Sequence, residues 1–159
     1  MIFSRNSTLL ILLYCAYVYC DNLRQIVYVS SAGFPNDSVL RNILRQSEIN
    51  NESQDITGIL LHQEGNFAQF LEGPSEKIER LYAKIERDIR HRHVIKIVDR
   101  EIEQRSFPGW AMRYRNLDVL AVDAGSDEAF EPPFMDSFTK TLLTSLTNTM
   151  TRQYSASLG

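Results

Sequence analysis

The chain has 159 residues, of which 43% are hydrophobic and 23% charged, and a net charge of −3. That length suits one domain with its own core rather than two, and the acidic balance excludes a general attraction to nucleic acid or to an anionic membrane. The two cysteines, Cys15 and Cys20, precede the first strand, so they do not staple the domain, and without a C-x-x-C pair or a Cys/His cluster there is no zinc site.

Arg5 precedes an uncharged run from Leu9 to Cys20. The run is short for a bilayer span and resembles a secretory signal, with Val18 and Cys20 as a cleavage pair. Tyr19 before Cys20 argues against a lipoprotein signal. Segment 1–22 is therefore set apart as signal-like, as an over-extended start, or as an extra element packed on the domain.

From Arg24 to Ser31 the pattern predicts a strand, closed by Gly33-Phe34-Pro35-Asn36. Asn36 or Ser38 is suited to cap a helix whose Val39, Leu40, Ile43 and Leu44 share a face and which ends near Asn50-Asn51. Ile56 to Leu61 and Phe67 to Glu72 predict two strands joined as a hairpin through Glu64-Gly65-Asn66. Gly73-Pro74-Ser75 opens a second helix with Ser75 as its N-cap; Ile78, Leu81, Tyr82, Ile85 and Ile89 follow helical spacing as far as His91 to His93. A fourth strand covers Val94 to Ile102, a turn Ser106 to Gly109, and a fifth strand Trp110 to Arg115. His62 and His93 have no evident partner and are placed on the surface.

The order βαββαββ fits an α+β, ferredoxin-like sandwich with one added strand, the first and third strands running parallel as central neighbours and both helices on one face. Val27, Val29, Ala68 and Phe70 make the opposite face apolar as well, so it needs cover from the C-terminal segment or from a partner chain. Residues 117–133 read as an acidic linker around Asp118, Asp123, Asp127, Glu128 and Glu131. Within 134–159, Phe134, Phe138, Leu142, Leu143, Leu146 and Met150 recur at helical spacing, but the intervening Thr and Ser make that helix dependent on packing.

Two polar side chains stand where apolar ones belong. Strand side chains alternate, so Gln69 shares a face with Phe67 and Leu71, and Tyr28 sits inside the apolar run Ile26 to Val29. A buried amide without a partner costs about 1–3 kcal/mol, so something polar has to meet Gln69. Adjacent strands would bring it to Tyr28 if both face the helices.

Taken with Asn50-Asn51-x4-Ile56-Thr57-Gly58, Phe67-x-Gln69-x-Leu71-Glu72-Gly73 and Phe107-x-x-Trp110-x-Met112, these positions resemble the BLUF family, blue-light sensors using flavin, over Leu23 to Asn116. Gln54-Asp55 stands where that pattern often has glycine. The resemblance implies FAD held non-covalently between the two helices. Ile43 and Ile85 would flank its ring, Asn51 would meet the polar edge with Asn50 nearby, and Lys84, Asp88 and His91 would lie toward the ribityl and phosphate end. The i, i+4, i+7 spacing of those last three fits one stripe of the second helix. Tyr28 would give the excited flavin an electron and a proton, and Gln69 would exchange its hydrogen bonds, shifting the absorption to the red. Trp110 and Met112, sharing a face of the fifth strand with Tyr114, would relay the signal to the C-terminal helix.

The resemblance implies a short, single-domain photoreceptor with no turnover chemistry and no metal. Its output would be a changed contact with a downstream protein or changed self-association as a homo-oligomer. A cytoplasmic location follows from where FAD is kept, although the Leu9 to Cys20 run argues for export. The rivals are a ferredoxin-like interaction module without photochemistry and a small hydrolase. The hydrolase would need an arginine–asparagine pair where Ser31-Ala32-Gly33 stand.

Overall fold

The computed structural model describes residues 22–31, 37–120 and 135–157. The Leu9 to Cys20 run, the turn Gly33 to Asn36, most of the acidic stretch and Phe134 lie outside the described residues. The elements are β1 (Leu23–Ser31), α1 (Asp37–Ser53), β2 (Thr57–Gln63), β3 (Asn66–Pro74), α2 (Ser75–Arg87), β4 (Arg92–Ile102), β5 (Arg113–Asn116), a short α3 (Leu117–Leu120) and α4 (Ser137–Ser157). They form one five-stranded sheet in the order β4-β1-β3-β2-β5. Among the described residues no helix is long and apolar enough to cross a membrane.

One expectation about this sheet is corrected. β1 and β3 are central neighbours, but they run antiparallel. The crossover through α1 leaves β1 and β2 pointing the same way, and the β2–β3 hairpin then reverses β3 against both. The hairpin loop is only Glu64-Gly65, with φ of 46° and 76°. Positive φ at both central residues gives the twist that a two-residue hairpin requires. β5 pairs with β2 in parallel, Leu60 opposite Tyr114.

Each face of the sheet has its own core. Ile26, Tyr28 and Leu71 pack with Ile56 and with Ile78 and Tyr82 of α2, while Leu60 and Phe67 meet Leu40 of α1. On the opposite side Val27, Ile59, Leu61, Ala68 and Phe70 pack with Phe107, Leu117 and Leu143. α4 supplies the second layer that the doubly apolar strands require, adding Leu142, Leu146 and Met150, with Met135 just ahead of it.

Several boundaries differ from the sequence pattern for identifiable reasons. α4 starts at Ser137 because Asp136 caps it, its Oδ1 accepting from the N–H groups of Phe138 and Thr139 at 3.1 Å. Thr141, Thr149 and Thr151 then turn their hydroxyls back onto carbonyls of the preceding turn. At α2, Pro74 takes the cap position and Ser75 is the first helical residue. That helix stops at Arg87 with an extended Asp88, so Ile89 falls outside it and is 93% exposed. β5 begins at Arg113, because the Trp110 carbonyl is taken by the Gly58 N–H and the Ala111 carbonyl by the Asn51 side chain. Trp110 and Met112 therefore lie on the irregular approach to the strand.

Candidate functional site

The antiparallel register sets Tyr28 directly opposite Gln69, both on the face covered by α1 and α2. The Tyr28 hydroxyl donates to the Gln69 Oε1 atom, and the Gln69 Nε2 atom lies 3.3 Å from the Met112 sulfur. Phenol, amide and thioether thus form a chain from β1 across β3 to the segment before β5. An amide offers an acceptor at one end and donors at the other, so turning it end for end exchanges both partners.

Tyr28 is 1% exposed and Gln69 is 5% exposed. The edges of Tyr82 and His91 face the Tyr28 ring, with centroids 5.8 Å and 6.4 Å away. Burial pushes the Tyr28 phenol well above its ordinary range, and the nearby Tyr82 and Asp88 push it further. The phenol is therefore neutral at any ordinary pH.

The positions expected to hold a cofactor have different local roles. Asn51 is buried in the last turn of α1, and its Nδ2 donates to the Ala111 carbonyl at 2.8 Å. It thereby ties α1 to the segment carrying Met112. Asn50 is exposed, its side-chain oxygen accepting from Gln46 at 3.1 Å. Ile43 and Ile85 are half-buried on α1 and α2; Ile85 packs against the cluster around Tyr28.

Lys84, Asp88 and His91 do not form one helical stripe, because α2 ends before Asp88. Lys84 is on the helix and exposed. Asp88 receives the Arg90 guanidinium at 2.9 Å, and that hydrogen bond is the main reason its pKa falls to about 2, with burial opposing it. His91 turns back over β1, its Nδ1 atom 3.2 Å from the Ser30 hydroxyl, and its ring faces Tyr28 and Phe67. Burial lowers the His91 pKa, Arg90 adds to this, and Asp88 resists it.

Trp110 and Met112 do not share a face. Met112 and Tyr114 pack with Leu60 and Phe67 under α1, whereas Trp110 stacks on Phe107 at 6.0 Å against the cluster beneath α4. Gly109, with its φ of 78°, turns the chain immediately before Trp110. His62 is also no bare surface residue: it stacks on Phe67 at 4.6 Å, lies 3.0 Å from the Tyr114 hydroxyl, and accepts the Gly65 N–H at 3.2 Å. His93 is exposed but lies 3.1 Å from the Ser31 hydroxyl.

Sequence reasoning missed a second polar centre on the other face. Glu72 and Gln25 are completely buried there, and Gln25 Nε2 donates to Glu72 Oε1 at 2.7 Å. The alternation that singled out Gln69 also marks them, because Gln25 shares a face with Val27, and Glu72 shares one with Phe70.

The fold and the buried pair define the class: a ferredoxin-like α+β domain with a polar centre inside its helix-covered face. Residues 23–113 match the family described as sensors of blue-light using FAD, and the chain belongs to this BLUF family. It is 35% identical over 101 residues to the photoactivated adenylate cyclase subunit beta of Euglena gracilis, an alignment covering 62% of this chain and 12% of that protein. Among solved structures it resembles the BLUF protein BlrB in its dark state, with a TM-score of 0.61, 30% identity, and coverage of 67% of this chain and 82% of that one. It also resembles Klebsiella pneumoniae BlrP1 solved with FMN and cyclic diGMP, with a TM-score of 0.67, 30% identity, and coverage of 79% of this chain and 34% of that one.

Proposed function

We propose that this chain is a blue-light photoreceptor that holds FAD non-covalently between α1 and α2, a sensor without turnover chemistry of its own. The observation that carries the proposal is the buried chain Tyr28–Gln69–Met112. A structural role alone gives no reason to bury a phenol and an amide together at the centre of an apolar face.

The surroundings fit a flat ring with a polar edge. Ile43 is half-buried on α1 and belongs to none of the described core clusters, and Ile85 stands half-buried on α2 beside the Tyr28 cluster. Two aliphatic side chains on facing helices suit the two faces of an isoalloxazine. Asn51 and Gln69 suit its polar edge, with Asn50 nearby. Lys84, Asp88 and His91 suit the ribityl and phosphate end.

When bound, the flavin supplies blue-light absorption and, in its excited state, an electron acceptor. Tyr28 would be the electron donor, and its hydroxyl proton would have the hydrogen bond to Gln69 as its path. Gln69 would exchange its two hydrogen-bond partners, and return of the electron and proton to Tyr28 would leave nothing consumed. Met112 feels the exchange directly at the amide nitrogen. Residues 23–116 form the flavin-binding part, and the segment through Met112 and Trp110 passes the change to α4 and on to a partner protein or a second copy.

The test is the visible absorption of the purified chain reconstituted with FAD, before and after blue light. A yellow protein with a red shift that reverses in the dark is expected. A colourless protein that ignores added FAD would favour a ferredoxin-like interaction module instead.

A further inference from the structure

On the far side of the sheet, a connected set of buried and half-buried polar groups runs from β3 to the first turn of α4. Glu72 follows Gln69 closely on β3 but points to the opposite face. Its Oε2 accepts the N–H groups of Ser106 and Phe107 at 2.8 and 3.0 Å, and its Oε1 accepts from Gln25 at 2.7 Å. From that turn onward the chain is held at each step toward Met112. The Trp110 N–H donates to the Phe107 carbonyl at 3.3 Å, the Trp110 carbonyl accepts from Gly58 at 2.8 Å, and the Ala111 carbonyl accepts from Asn51 at 2.8 Å. At the end of this path the Met112 sulfur meets Gln69.

The same turn is fastened to α4. The Ser106 hydroxyl donates to Asp136 Oδ2 at 3.1 Å, and the Thr139 hydroxyl donates to the same oxygen at 2.6 Å. Arg100 reaches Asp136 Oδ2 at 2.8 Å, Gln25 Oε1 at 2.8 Å and the Thr139 hydroxyl at 2.9 Å. Asp136 is also the cap of α4. A network whose members all have partners is stiff, and removing one leaves a buried group unpaired, so displacement at one end is felt at the other.

We propose that Glu72 is a positioning residue for the Met112–Gln69 contact and that, through Ser106 and Asp136, it couples that contact to the seating of α4. The functional part of this rests on the photoreceptor proposal; the mechanical part does not. Glu72 holds the turn from which Met112 is presented, and Asp136 holds both that turn and the first turn of α4. A change at the amide that moves Met112 pulls on the 106–107 turn and loosens the α4 cap.

The experiment uses the full chain labelled at its methionine methyls, with Glu72→Ala, Glu72→Gln, Asp136→Ala and Thr139→Val. Two readings are taken: the Met112 methyl resonance in the dark, and the dark-recovery rate after a flash in the FAD-loaded protein. Glu72→Ala and Asp136→Ala should each displace the Met112 resonance and change the recovery rate by roughly 3-fold or more, with Glu72→Gln closer to the unaltered protein. Thr139→Val, which removes one hydroxyl, should do the same more weakly and covers the case in which a larger change unfolds the chain. An unmoved Met112 resonance in the folded Asp136 or Thr139 variant would overturn the coupling. Absence of any red shift in the unaltered protein would instead defeat the photoreceptor proposal, while the methyl resonance still decides whether α4 and Met112 are linked.

Discussion

The two faces of the sheet are built on different terms. Beneath α4 the core is broad and continuous, with Phe70 edge-on to Phe107 at 5.6 Å and Val27, Ile59, Leu61 and Ala68 excluded from solvent. Toward α1 and α2 the core divides into two clusters, with the Tyr28–Gln69 pair between them and Met112 at its rim. The first face is suited to stability, because close-packed apolar area is what holds a small domain together. Both faces bury polar groups, but differently: beneath α4, Gln25, Glu72 and Thr139 bond to one another and to the 106–107 turn, whereas the Tyr28–Gln69 pair stands among apolar side chains with a thioether as its next contact.

If that contrast is right, substitutions should sort by face. The largest effect on stability is expected from Phe70→Ala, at about 3–5 kcal/mol in denaturant unfolding, because the surrounding cluster has little room to collapse. A loss below about 1 kcal/mol would blur the distinction between the faces. Next is Gly58→Ala, on the order of 3 kcal/mol. A Cβ there would sit 1.9 Å from the Phe70 carbonyl oxygen, so β2 would have to shift against β3. The shift should register as lost flavin retention as well as lowered stability, since Gly58 also holds the Trp110 carbonyl.

On the other face, Tyr28→Phe should be mild for the fold. It removes one donor and leaves the Gln69 oxygen to find another, at a cost of about 1–3 kcal/mol by thermal or urea unfolding. The same variant should keep flavin and lose the photocycle, and a normal photocycle would refute the donor assignment.

The smallest effects are those of pH, and they also divide by face. Beneath α4, burial pushes the Asp136 carboxyl up, but hydrogen bonds from Thr139, Arg100 and Ser106 outweigh it and hold the pKa at about 2. A folded-state pKa below the ordinary aspartate value gives stability that is present above about pH 4 and lost as pH falls toward 2. On the side covered by α1 and α2, burial depresses His91, so the fold favours its neutral form. The unfolded chain then binds the proton more readily, and stability should begin to fall as pH drops through the ordinary histidine range near 6.5. Urea midpoints across pH should show the milder loss first, and His91→Gln should remove it.

The parts of this architecture governed by local pattern were legible in the sequence. Alternation in β1 and β3 identified which residues share a face, and helical spacing located α1, α2 and α4. The pairing of Tyr28 with Gln69 followed from placing those strands side by side. Direction was harder: the antiparallel run of β1 against β3 depends on tracing the crossover and hairpin in space. The end of α2 was missed because Ile89 continues the apolar spacing although the chain has already turned at Asp88. The opposite placement of Trp110 and Met112 depends on backbone carbonyls taken by Gly58 and Asn51, contacts between segments far apart in sequence. The Glu72 network was half visible: alternation flags Gln25 and Glu72 as buried, but only the fold brings Arg100, Ser106 and Asp136 to them.

Gln69 is the proposed link between Tyr28 and the flavin. Its direct test is the light-minus-dark absorption spectrum of the FAD-loaded Gln69→Leu protein. The predicted result is a folded, yellow protein with no reversible red shift. A full red shift with ordinary dark reversal would contradict the role assigned to the amide and, with it, the chain from Tyr28 to Met112.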